Sequence, residues 1–118
     1  MNKVIWITGA SSGIGKALAL KFAKAGWQVA ASARRENLLN EISESNENIS
    51  SFPLDVTNKD NCNETFEQIK NKYKNIDICF FSTGTWDPKK EKEIDVDQMK
   101  KVMEVNFFGT LNLSLIHI

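Results

Sequence analysis

The chain has 118 residues, enough for about one domain with a real core, and its 42% hydrophobic content is ordinary for a globular protein. Fifteen basic residues balance fifteen acidic ones, so the composition suggests neither nucleic acid nor a membrane surface as a partner. Two cysteines, Cys62 and Cys79, are too few for a disulfide framework and lack metal-ligand spacing. Cys79 sits in an apolar run and reads as a buried thiol. No apolar run is long enough to span a bilayer, and a strand signal begins almost at once, leaving no room for a signal peptide. The expected compartment is the cytoplasm.

Strand and helix signals then alternate along the chain. Lys3–Thr8 predicts a buried strand, and Gly13–Ala25 a helix with Ile14, Leu18 and Phe22 on its apolar face, closed by Gly26 as a C-terminal cap. Trp27–Ala33 predicts a second strand, Arg34–Ser45 a helix with Leu38, Leu39 and Ile42 inward, and Ile49–Leu54 a third strand. Thr57 is the expected N-cap of a helix reaching about Lys74, with Phe66, Ile69 and Tyr73 as its inward stripe. Ile76–Ser82 predicts the fourth strand. A polar loop, Thr83 to Glu93, carries Trp86 and Pro88, and a last helix starts near Val96. On that helix Met99, Val102, Met103, Asn106, Thr110 and Leu113 fall at helical spacing, which puts an amide on an otherwise apolar face. The order β-α-β-α-β-α-β-loop-α requires a parallel sheet with helices on both faces. Right-handed crossovers make it an α/β, Rossmann-like doubly wound domain over residues 1–112.

Thr8-Gly9-Ala10-Ser11-Ser12-Gly13-Ile14-Gly15 lies at the first strand-to-helix junction. Glycines there let backbone approach a phosphate, and free N–H groups at the helix start favour an anion. The same stretch can also be a Gly/Ser-rich turn with no ligand. A Walker loop fails at two necessary points, because Ala10 stands where its first glycine belongs and Ala17 replaces the magnesium-holding hydroxyl. A dinucleotide loop fits better. At the end of the second strand, where a ribose-reading carboxylate would stand, the chain has Ala33-Arg34-Arg35. A guanidinium fork suits a 2′-phosphate, so NADP(H) is expected over NAD(H). Arg34 and Arg35 have a plainer alternative use, solvating the start of a helix.

These residues resemble the short-chain dehydrogenase/reductase family, over nearly the whole chain up to about Leu111. The family's Thr-Gly-x-x-x-Gly-x-Gly is matched in full by Thr8–Gly15, and Leu54-Asp55-Val56 looks like its third-strand motif. The resemblance implies that Gly9, Ser11, Ser12, Gly13, Ile14 and Gly15 form the pyrophosphate loop. It implies further that Arg34 takes the 2′-phosphate, that Asp55 and Val56 contact adenine, and that Ser82, Thr83 and Gly84 stand on the ribose side. Asp55 also fits a turn ahead of Thr57. Asn106, in Asn106-Phe107-Phe108-Gly109, matches the one catalytic position present, an asparagine that helps hold a proton-relay water. Its alternative is a buried amide bonded to local backbone.

Two departures stand out. Phe81-Ser82-Thr83-Gly84 replaces the family's Asn-Asn-Ala-Gly, and no serine with Tyr-x-x-x-Lys follows Asn106. The implied reaction is hydride transfer on a small-molecule carbonyl or alcohol, in a longer parent protein that pairs with its own copies. The 118 residues alone are expected to be inactive. Leu113–Ile118 resembles the translation of a sequencing adapter, which leaves His117 without a catalytic role. A non-catalytic NAD(P)-binding sensor on the same fold is the alternative, and a nucleotide-sugar epimerase relative ranks lower on glycine spacing.

Overall fold

The computed structural model describes residues 3–82 and 96–115. Thr83, Gly84, Trp86, Pro88 and His117 lie outside the described residues. Four strands form one parallel sheet in the order β3-β2-β1-β4, with β1 at Val4–Thr8, β2 at Gln28–Ser32, β3 at Ile49–Ser51 and β4 at Ile78–Phe81. Ile5 is in register with Val29 on one side and Ile78 on the other. All five residues of β1 are buried, as a central strand between two helical layers must be. The strands are shorter than the sequence predicts. Lys3, Trp27, Ala33 and Phe52–Leu54 run on from β1, β2 and β3 without completing ladder pairs.

One layer comprises α1 (Gly13–Lys24) and α2 (Glu36–Ser45); the other comprises α3 (Lys59–Tyr73) and a helix with three parts. That last helix is α4 (Val96–Met103), a π-helical stretch over Glu104–Gly109, and α5 (Thr110–Leu115). On the α1–α2 side the core joins Ile5, Ile7, Val29 and Ala31 to Leu39, Ile42, Ala19 and Ala23. On the other side Trp6, Ala30, Leu54 and Val56 meet Cys62, Ile69 and Leu113. Trp6 is the largest fully buried side chain. Its ring stacks on Phe66 at 6.3 Å and meets Phe81 edge-on at 6.4 Å, while Nε1 donates to Ser32 Oγ at 2.9 Å. A buried indole with a satisfied N–H of this kind is worth about 3–5 kcal/mol against alanine.

Helix ends follow local chemistry. After α1, Gly26 N–H donates to Ala23 at 3.1 Å and Trp27 N–H to Phe22 at 3.0 Å, the paired bonds that close a helix C-terminus. Phe22 and Trp27 then pack edge-on at 5.0 Å. The cap of α3 is Asn58, not Thr57: its side chain accepts from Asn61 N–H at 3.0 Å. Thr57 is instead engaged with Asp55. The α1 face also differs from expectation, because Gly15, Ala19 and Ala23 form the buried line and Ile14 is 70% exposed. Small residues let that helix lie close on β1.

The last helix departs most from a regular period. The π stretch adds residues to one turn and shifts the phase, so Val105, Gly109 and Leu113 turn toward the sheet. Met99, Met103 and Asn106 are exposed rather than forming one inward face with Leu113. Cys79 is half-buried, since β4 is an edge among the described strands; Cys62 is the fully buried thiol. Burial pushes both thiols up to about 11, helped at Cys62 by the charge of Asp55. Both therefore stay protonated at neutral pH.

Tyr73, the chain's single tyrosine, sits edge-on to Phe52 at 6.5 Å, and its hydroxyl is buried with no hydrogen-bond partner among the described residues. An unpaired buried hydroxyl costs about 1–3 kcal/mol. Tyr73→Phe is therefore expected to raise stability by about 1 kcal/mol at the low end of that range. A thermal melt reads this directly, and a fall in Tm would mean the hydroxyl is bonded.

Candidate functional site

A cleft of about 1130 Å³ opens at the C-terminal ends of the strands. It lies where the sheet order reverses, with β1 flanked by β2 and β4, the place where open α/β sheets bind ligands. Its floor is the turn after β1. Gly9, Ser11, Ser12, Gly13 and Ile14 all line it. Ser12 is the N-cap of α1, yet its side chain makes no cap bond, and no acidic residue stands in the first turn. The first intrahelical bond is Lys16 N–H to Ser12 at 3.3 Å. The amides of Gly13, Ile14 and Gly15 are thus left for an outside acceptor, at the positive end of the helix dipole.

Two glycines shape this floor for different reasons. Gly13 has φ +57°, which a side chain rarely adopts, and an added Cβ there would meet nothing within 4 Å. The space above it is open to a ligand. Gly15 does not line the cleft. A Cβ on it would collide with the carbonyl oxygen of Gly9 and come within 2.8 Å of the Gly9 carbonyl carbon. Gly15 supports the loop from below by letting α1 press against it.

One wall is the end of β2. Ser32 and Ala33 are small and buried, and Arg34 and Arg35 follow, both exposed and both lining the cleft. No carboxylate stands here. Next to it, the turn after β3 continues this wall, with Leu54 N–H bonded to Ala33 at 3.0 Å. Asp55 carbonyl accepts Asn58 N–H at 3.0 Å, closing a turn. Asp55 Oδ1 accepts Thr57 Oγ1–H at 2.6 Å and Thr57 N–H at 3.0 Å. Asp55 is therefore both a turn residue and a cleft residue. The Thr57 hydroxyl bond holds its carboxyl below the usual value, helped by the Thr57 amide and the Arg34 charge and opposed by burial. At neutral pH it is an ionised acceptor.

Ser82 lines the cleft beyond β4, its N–H bonded to Thr8 at 3.2 Å. Lys101, Glu104 and Val105 close the cleft from the last helix; the sequence pattern gave no sign of them, since helical spacing turned a different face inward. Asn106 is one residue beyond that wall. It lies in the π stretch, and its carbonyl accepts Thr110 Oγ1–H at 3.1 Å. The site therefore holds five loop residues, two arginines, the carboxylates of Asp55 and Glu104, and the Ser82 rim. No cluster of metal-ligating side chains is found among the described residues.

A profile of the short chain dehydrogenases matches residues 3–117. The chain belongs to the short-chain dehydrogenase family. It is 34% identical over 116 residues to an NADPH-dependent 1-acyldihydroxyacetone phosphate reductase of Schizosaccharomyces pombe, covering 96% of this chain and 38% of that protein. It is 35% identical over 113 residues to an oxidoreductase of Staphylococcus epidermidis, covering 95% of this chain and 49% of the other. Among solved structures, ElxO with NADP bound matches with a TM-score of 0.87 at 30% identity, over 99% of this chain and 49% of that one. An actinorhodin polyketide ketoreductase with NADPH matches with a TM-score of 0.89 at 22% identity, over 98% and 46%, which shows the shared fold. The chain thus spans about half or less of the length of these short-chain dehydrogenases.

Proposed function

We propose that this chain grips NADP(H) for a short-chain dehydrogenase that interconverts a carbonyl and an alcohol on a small molecule. One observation carries the reading: the uncapped start of α1 faces the same cleft as Arg34 and Asp55. Pyrophosphate would rest on the amides of Gly13 and Ile14 and the hydroxyls of Ser11 and Ser12. Arg34, with Arg35 beside it, would hold the 2′-phosphate in place of a repelling carboxylate. Asp55 would accept from the adenine amino group, and the Val56 amide would donate to the ring. Ser82, with Thr83 and Gly84 beyond it, would stand beside the nicotinamide-side ribose.

The bound cofactor supplies the hydride-transfer centre. Asn106 would hold a water for the proton path. The serine and the Tyr-x-x-x-Lys that complete the family's set would come from sequence beyond these 118 residues, and the chain alone would not turn over substrate. NADPH-dependent and NADP-bound relatives support the cofactor choice. Phe81, where the family carries an amide, packs edge-on against Trp6, so that departure serves the core and adds little weight to a non-catalytic sensor.

Calorimetric titration with NADPH and NADH tests the reading. NADPH is expected to bind at least about tenfold more tightly, the worth of one charge-assisted contact. Equal affinities would remove the NADP(H) preference, and no binding of either would remove the cofactor role.

A further inference from the structure

Arg34 and Arg35 are consecutive, exposed and in the cleft, and neither guanidinium is hydrogen-bonded or ion-paired among the described residues. Arg35 is extended, at φ −84° and ψ 92°, and successive side chains on extended backbone point apart. Two free cations on long stems therefore reach the end of β2 from two directions. The groups there that would read a ribose hydroxyl are engaged. Ser32 is fully buried, its Oγ accepts Trp6 Nε1–H at 2.9 Å, and its carbonyl accepts Ala10 N–H at 3.1 Å. Ala33 has no polar side chain, and its carbonyl accepts Leu54 N–H at 3.0 Å.

Telling a 2′-phosphate from a 3′-phosphate requires a group that contacts the remaining hydroxyl, or one that repels a phosphate on the wrong oxygen. The end of β2 offers neither. It offers charge and guanidinium donors, which either phosphate ester satisfies. The open amides at the start of α1 would seat a 5′-diphosphate in both cases. We propose that this cleft also takes adenosine 5′-diphosphates carrying their extra phosphate on the 3′ oxygen, the nucleotide end of coenzyme A, in competition with NADP(H). The inference rests on the nucleotide reading above, and adds to it a second class of ligand that lowers cofactor occupancy. The arm of coenzyme A would leave the diphosphate toward Ser82, the direction that reading gives to the nicotinamide half.

Calorimetric titration of the chain with coenzyme A, with 3′-dephospho-coenzyme A and with NADPH tests this. Coenzyme A is expected to bind at least about tenfold more tightly than its dephospho form, the worth of one charge-assisted contact. Saturating NADPH is expected to abolish that binding. In the double variant Arg34→Ala/Arg35→Ala the two coenzymes are expected to bind within about twofold of each other. If NADPH binds while coenzyme A binds no more tightly than its dephospho form, or not at all, the wall reads the 2′ position. The proposal is then overturned and the nucleotide reading stands. Coenzyme A that stays bound under saturating NADPH, or a preference for its 3′-phosphate that survives in the double variant, overturns the proposal as well. If neither NADPH nor coenzyme A binds, the nucleotide reading fails and takes the proposal with it.

Discussion

Gly15→Ala is expected to lower the stability of this chain by about 2 kcal/mol, although alanine is the better helix former. In an exposed helix the exchange would gain about 1 kcal/mol. Here the new methyl group points at the Gly9 carbonyl, with the Gly9 carbonyl carbon 2.8 Å away and Ala10 Cα at 3.2 Å. Those are backbone atoms of a turn that is itself tied down, since Ala10 N–H bonds Ser32 at 3.1 Å. Neither side can yield like the end of a flexible side chain, so the overpacking cost sits at or above the upper end of the usual range, about 3 kcal/mol. The net loss corresponds to a fall in Tm of roughly 10 °C for a domain of this size. Gly13→Ala is the informative partner. Nothing lies within 4 Å of its Cβ, so its cost is only that of left-handed backbone, about 1 kcal/mol. Thermal melts followed by circular dichroism separate the two, and a Tm for Gly15→Ala at or above that of the unaltered chain would refute the packing argument.

The same contrast explains how far the sequence could be read. The alternation of β-branched runs with amphipathic stretches is a local signal, so strands, helices and their parallel order were legible from Val4 to Phe81. The glycine loop was legible because its need for open backbone is written in residue identity, and Arg34 and Asp55 because each follows a recognisable strand end. What escaped was whatever depends on phase. One π-helical stretch at Glu104–Gly109 rotates everything after it. A regular period therefore places Met103 and Asn106 inward, where the structure places Val105 and Gly109. The reach of Asn112 to Val56 is lost for the same reason, while Lys101 and Glu104 line the cleft as polar residues, which an apolar period does not mark. Capping was misread more mildly. Thr57 and Asn58 are both good caps, and the choice between them was decided by Asp55, which takes the Thr57 hydroxyl for its own turn.

Arg34→Ala is expected to weaken NADPH binding by about 10- to 100-fold and to leave NADH within about twofold, on the basis that a charge-assisted contact is worth about 1.5–3 kcal/mol. Arg34 is exposed and makes no hydrogen bond or salt bridge among the described residues, so its side chain is available to a ligand without breaking protein structure. Its one marked electrostatic partner is Asp55, whose carboxyl it helps to hold ionised. That link gives the prediction a second, independent readout. Removing the guanidinium takes away one of the influences lowering the Asp55 value, so the acid limb of nucleotide binding should move to higher pH in the variant. The sign follows because a depressed carboxyl is ionised down to lower pH, and losing the nearby cation shortens that range. Arg35→Ala tests the division of labour, since Arg35 stands at the N-cap position of α2 and lines the same cleft. A 2′-phosphate shared between the two arginines predicts a smaller loss for Arg35→Ala and a larger one for the double variant. If Arg34→Ala binds NADPH and NADH with the affinities of the unaltered chain, Arg34 has no phosphate role and only solvates the turn before α2.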